Sequence, residues 1–349
     1  MPEKKSLARR SFITGALLGG GAGMGWLVRK SQKPTTPAAQ NQAIPKSVFE
    51  YDVSAYMKTD PDLLLYQSMT ELPLSFEKVK AVILSPDNHF LVAGDQAIKA
   101  YSRAGDLQFE ISLNEAPRCM TLTESGLLWV GLGQSCEAYQ LETRQLKFKT
   151  KPLGEKSYIT SMHAYEDRVY VADAGMREMV VLDAEDGEER FRFGKKTELN
   201  PGFNIPSPYF DFVIGRDQKL HISNPGYLRV ETYTLDGRLE SAWGKPGMQV
   251  DAFCGCCNPV FLTQLPNGDF VTSEKGLTRL HLYSEVGEFK GVVAGPEQLV
   301  ENVSLAKKAC WDCSQGSGFD VICDDKGNVI TLDPYKRSLR IFSPIKKTI

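Results

Sequence analysis

The residues best suited to chemistry are cysteines. Cys254, Cys256 and Cys257 crowd into the stretch Phe253-Cys-Gly-Cys-Cys-Asn-Pro259, and Cys310 and Cys313 form a C-x-x-C pair further along. A C-x-x-C pair plus a second sulfur group is the spacing of tetrahedral thiolate sites. Zinc, copper(I) or an iron–sulfur cluster are therefore the candidate occupants of Cys254, Cys256, Cys257, Cys310 and Cys313. In an oxidising compartment the same sulfurs pair instead, Cys310 with Cys313 or one of them with Cys256 or Cys257. The local count is odd, so one thiol at least lacks a partner inside the group. Covalent haem attachment is excluded, because Ser314 stands where that motif needs His. Cys119 and Cys323 fall in strand patterns and read as small hydrophobes, and Cys136 is isolated.

Polar, Pro-stiffened segments accompany the cysteines: Asn224-Pro225-Gly226, Ser273-Glu274-Lys275-Gly276 and Asp333-Pro334-Tyr335-Lys336, with Pro206-Ser207-Pro208-Tyr209 before them. Loops on a rigid scaffold are where function usually sits. Tyr209, Lys275, Tyr335 and Lys336 are accordingly expected on a ligand-binding face, where the lysines suit an anion. The chain has four histidines: His89 in a turn, His221 and His281 within strands, and His163 in a strand that can face a channel. No G-x-S-x-G elbow, P-loop or H-E-x-x-H stretch is present.

Repeats dictate what positions these residues. VYVADAG, MVVLDAEDG and EERFRFG (169–194) recur as LHISNPG, VETYTLDG and RLESAWG (220–244), and again as FVTSEKG, LHLYSEVG and EFKGVVAG (270–295). Weaker copies start at Phe90, Leu128 and Val329. Asn88, Ser125, Asp167, Asp217, Asn267 and Lys326 keep phase in the first turn of each unit. Ala104, Thr143, Asp186, Asp236 and Val286 do so in a later turn, mostly before Gly. Alternating strands joined by Gly, Asn and Asp turns predict an all-β, six-bladed β-propeller. The sixth copy ends near Pro344 after three strands, so the segment Leu63 to Leu74 is expected to supply its outer strand and remove a sheet edge.

The repeat pattern resembles the NHL family of propellers from about residue 60 to 345. That resemblance implies the fold and little about activity. Lactonases on similar six-bladed propellers hold a divalent cation in the channel through Glu, Asn and Asp. By that resemblance Asp211, Asn258, Glu274 and Asp333 are the oxygen-rich set of an alternative, metal-dependent hydrolase. A further alternative, a thiol–disulfide protein using Cys310 and Cys313, lacks the βαβ context that depresses a thiol pKa.

Arg9-Arg10, followed by Phe12 and a Gly-rich apolar run from Gly15 to Val28, resembles a twin-arginine export signal. It implies a bacterial, periplasmic protein, either cleaved or tethered to the inner membrane. Residues 1–32 are read as signal or anchor, 33–59 as linker and 60–349 as propeller. A net charge of −2 with no basic block in the remainder gives nucleic acid no foothold. The expected function is a non-catalytic, exported propeller. It binds a ligand or protein partner through its Cys-rich face, as an accessory to a membrane redox system.

Overall fold

Six four-stranded antiparallel sheets make up the computed structural model, which describes residues 54–198, 200–300 and 318–346. The signal or anchor and most of the linker lie outside the described residues, as do Cys310 and Cys313. Helix is almost absent, with a single α-helical turn at Pro296–Leu299 among the described residues. None of the described helices is long and apolar enough to cross a membrane.

The first strands of the sheets are Val79–Leu84, Cys119–Leu122, Ile159–Tyr165, Phe212–Ile214, Phe261–Gln264 and Asp320–Cys323. Each touches the next, and Asp320–Cys323 touches Val79–Leu84, so the ring closes around a central channel. The six-bladed β-propeller is the fold.

Burial explains why the repeats read as they do. Second strands such as Phe90–Gly94, Leu127–Gly131 and Leu220–Asn224 are buried throughout, because each is covered by neighbouring blades on both faces. They carry continuous apolar runs for that reason. Outer strands such as Gln145–Lys149 are mostly exposed and alternate in polarity. The apolar clusters form between neighbouring blades. Trp129 packs with Val169 and Val180, Tyr170 with Phe212 and Tyr233, and Leu72 with Phe90 and Leu332. Fully burying one such side chain contributes about 2 kcal/mol.

The last of these clusters includes the closing strand. Tyr66–Pro73 pairs antiparallel with Ser338–Pro344, from Tyr66 opposite Pro344 to Pro73 opposite Ser338, with a bulge between Ser68 and Thr70. Antiparallel alternation puts the inter-blade connections and the turns after the second strands on one face. Direct bonds confirm this: Gly226 N donates to Asn204 O at 2.9 Å and Lys275 N to Asn258 Oδ1 at 2.9 Å.

Candidate functional site at the channel mouth

A cavity of about 230 Å³ opens on that face, lined by Lys80, Arg118, Tyr158, Tyr209, Phe261 and Pro334 among others. It leads into a channel cavity of about 90 Å³ walled by Asp211, Asp320, Ser161, His163 and Thr263, with Lys80 and Arg118 lining both. The ring of first strands delivers these residues. Lys80 is the second residue of its strand, and Arg118 and Tyr158 each immediately precede theirs.

The mouth is cationic. The Arg118 guanidinium lies 3.7 Å from the Tyr158 ring centroid, a cation–π stack. Its Nε is buried with no hydrogen-bond partner. Burial first, then the charges of Arg118 and Lys78, hold the Lys80 ammonium below its ordinary range. Among the described residues no carboxylate lines the 230 Å³ cavity. Asp211 and Asp320 lie deeper, in the channel cavity; two adjacent cations at the mouth attract an anion, and the low-dielectric wall strengthens that attraction.

A second polar group flanks the mouth behind Tyr209. The Lys275 ammonium is 4.9 Å from the Tyr209 ring centroid and donates to Ser207 Oγ at 3.2 Å. Burial alone would raise the Cys257 thiol, but hydrogen bonds with Ser207 and Lys275, and the Lys275 charge, hold it below its usual value. Cys256 Sγ lies 3.6 Å from Cys257 Sγ; Cys256 is exposed, whereas Cys254 and Cys257 are buried. Tyr335 and Lys336 are exposed on the turn after Asp333, where Lys336 pairs with Glu71 at 3.4 Å. Of the expected thiolate set, Cys254, Cys256 and Cys257 share one loop. Among the described residues no three His, Cys, Asp or Glu side chains gather to hold a metal.

The expected oxygen set of Asp211, Asn258, Glu274 and Asp333 does not converge, and the reason is structural. The residue at or just after the end of the second strand is an internal strut in five blades. Asp95 accepts from Glu77 and Lys78 N–H, Asp173 from Tyr158 N–H, and Asn224 from Asn204 N–H. Glu274 accepts from Cys254 N–H and Asp333 from Tyr335 and Lys336 N–H. Glu274 is fully buried against Arg279 at 3.1 Å and His281 at 3.0 Å. Burial opposes its ionisation, but Arg279 and His281 overcome it and hold the carboxyl down to about 2. Asp333 faces Arg340 at 3.5 Å. Asn258 bridges Cys254 O and the Lys275 backbone. Only Asp211 lines the channel, where its companion is Asp320.

Lys80, Arg118, Tyr158 and Asp320 were missing from the sequence-based candidates. They sit in short connections or at strand starts with no motif around them. The signal that could have found them was positional: each lies within one residue of the start of a first strand.

No protein-family model and no curated protein matches the chain. Solved structures do. The chain is similar to an inactive variant of virginiamycin B lyase from Staphylococcus aureus with quinupristin, at 13% identity over 78% of this chain and 83% of that one, TM-score 0.56. It is similar to the WD40 propeller domain of Doa1, at 15% identity over 80% and 98%, TM-score 0.53. A protein of unknown function from Bacteroides thetaiotaomicron matches at 13% identity over 83% and 73%, TM-score 0.56. At such identities the likeness establishes the β-propeller and nothing narrower.

Proposed function

We propose that this chain is an exported, non-catalytic binding propeller that takes an anionic group of a small ligand or partner protein at the channel mouth. The observation that carries the reading is the Arg118–Lys80 pair, two neighbouring cations over a 230 Å³ cavity that no carboxylate among the described residues lines. Arg118 supplies a planar fork suited to a carboxylate or phosphate, and Tyr158 stacks beneath it. Tyr209, Phe210 and Phe261 add apolar wall, the mixture that small-molecule sites use. Export to the periplasm is supported by Arg9-Arg10 and the apolar run after it. A role beside a membrane redox system is supported by the cysteines on the same face.

Titration calorimetry of the purified chain with inorganic phosphate, citrate and 4-hydroxybenzoate tests the reading. At least one probe is expected to bind, more weakly as salt rises, and Arg118→Ala is expected to weaken it about tenfold or more. Failure of all three probes, or an affinity that Arg118→Ala leaves unchanged, would overturn the assignment.

A further inference from the structure

Lys275 presents an electrostatic problem that the anion site does not solve. Its side chain is almost wholly buried, with 4% of the residue exposed, and its ammonium contacts Ser207 Oγ and the Tyr209 ring. No carboxylate among the described residues forms an ion pair with it. A buried ammonium is costly unless an anion or a full set of hydrogen bonds compensates it. Cys257 is 3% exposed, and Lys275 and Ser207 both favour its ionised form, so its thiolate can carry the balancing charge. The neighbouring sulfur, Cys256 Sγ at 3.6 Å, belongs to an exposed residue.

We propose that Cys256 and Cys257 are a redox-active thiol pair, in which exposed Cys256 takes an external disulfide and buried Cys257, held by Lys275 and Ser207, closes a bridge to it. The oxidant is a low-molecular-weight disulfide, RSSR. Cys256 Sγ attacks one sulfur of RSSR, the S–S bond breaks, and the departing RS⁻ takes the Cys256 proton and leaves as RSH. The Cys257 thiolate then attacks Cys256 Sγ and expels the second RS⁻, which takes a proton from water. Both cysteine sulfurs are oxidised and RSSR is reduced to two RSH. Adjacent Cα atoms lie about 3.8 Å apart, below the usual disulfide range, so the bridge is strained and readily reopened by thiols. Closure also removes the thiolate that neutralises Lys275. The ammonium therefore stabilises the reduced form, the arrangement that makes a dithiol an oxidant.

The test equilibrates the full chain in glutathione buffers of graded ratio, traps thiols with acid and maps the peptides by mass spectrometry. The expected product is a peptide holding Cys256 and Cys257 that has lost two hydrogens. Cys256→Ser, a change at an exposed position, should abolish it. Lys275→Met should bring half-oxidation about tenfold further towards the reduced end of the series, while Lys275→Arg should not. If Lys275→Met fails to fold, the Cys256→Ser result still decides. Three outcomes would overturn the proposal: both sulfurs recovered as thiols throughout, a lasting glutathione adduct with no closure, or bridges made only to Cys310 or Cys313.

Discussion

Asp211 and Asp320 show what burial does to a pair of like charges. Asp211 Oδ2 accepts from Leu262 N at 2.9 Å and Asp320 Oδ2 from Val82 N at 2.8 Å, so each carboxyl ties its blade to the next one. Burial raises Asp211 to about 6. Burial, then the charge of Asp211, raises Asp320 to about 7. His163, which faces the same cavity, is pushed down to about 4 by burial and stays neutral above that. Cys119, also facing it, is pushed well up by burial. A carboxyl whose folded pKa lies above its unfolded value holds its proton longer when folded. Its stability contribution is therefore present at low pH and lost as pH rises from about 4 to about 7. Asp320→Asn keeps an oxygen to accept from Val82 and removes the charge. The melting temperature of the variant relative to the parent should climb across that range and level off above it, by on the order of 4 kcal/mol in stability. A difference that does not vary with pH would mean that folding does not raise the Asp320 carboxyl. Asp211 was named in the sequence through the resemblance to propeller lactonases. Asp320 was not, because it opens an ordinary strand and nothing in the spacing says that these two carboxyls meet across a channel.

The turn glycines carry a constraint of a different kind. The sequence marks the turn before each outer strand by Gly187, Gly237 and Gly287, a reading that needs only a left-handed backbone, and all three have positive φ. The structure adds a second demand, since each turn is pressed onto the preceding blade. A Cβ on Gly187 would meet Phe148 at 2.9 Å. On Gly237 it would meet Phe193 at 2.4 Å, and on Gly287 Trp243 at 2.3 Å. Turn and inter-blade contact are thus one feature, and only the turn half is legible from local pattern. The struts at the ends of the second strands went the same way. Glu274 and Asp333 were recognisable as acids facing a loop, but the Cys254 N–H that Glu274 accepts from and the Arg279 and Arg340 partners on the next strand were not, whereas Asp333 caps its own turn. Gly287→Ala, with φ at +84° and an aromatic ring in the way, should cost about 2 kcal/mol or more. Urea unfolding measures this, and a midpoint equal to the parent's would show that the Trp243 contact yields without strain.

A closed ring has no first or last blade, yet the chain must begin and end somewhere. This one places the seam inside a sheet: Tyr66–Pro73 supplies the outer strand to three strands from the other end of the described chain. The repeat count alone made this arrangement readable, because the sixth copy was one strand short. What the repeats did not disclose is how much the seam anchors. Leu72 and Leu74 belong to the cluster between the last and first blades, and Tyr66 to the cluster between the fifth and sixth. The closing strand therefore stitches both neighbours of the sixth blade as well as its own sheet. Deleting residues 1–74 would withdraw all three side chains, on the order of 5 kcal/mol of burial, and bare the ladder edge of Ser338–Pro344. An unpaired edge flanked by apolar surface recruits other chains. The shortened chain should melt about 10 °C lower and form concentration-dependent aggregates by light scattering. A synthetic peptide of residues 62–74, added in trans, should reverse both effects by strand addition. Should the shortened chain stay monomeric at the parent melting temperature, packing between blades would hold the ring and the seam would be dispensable.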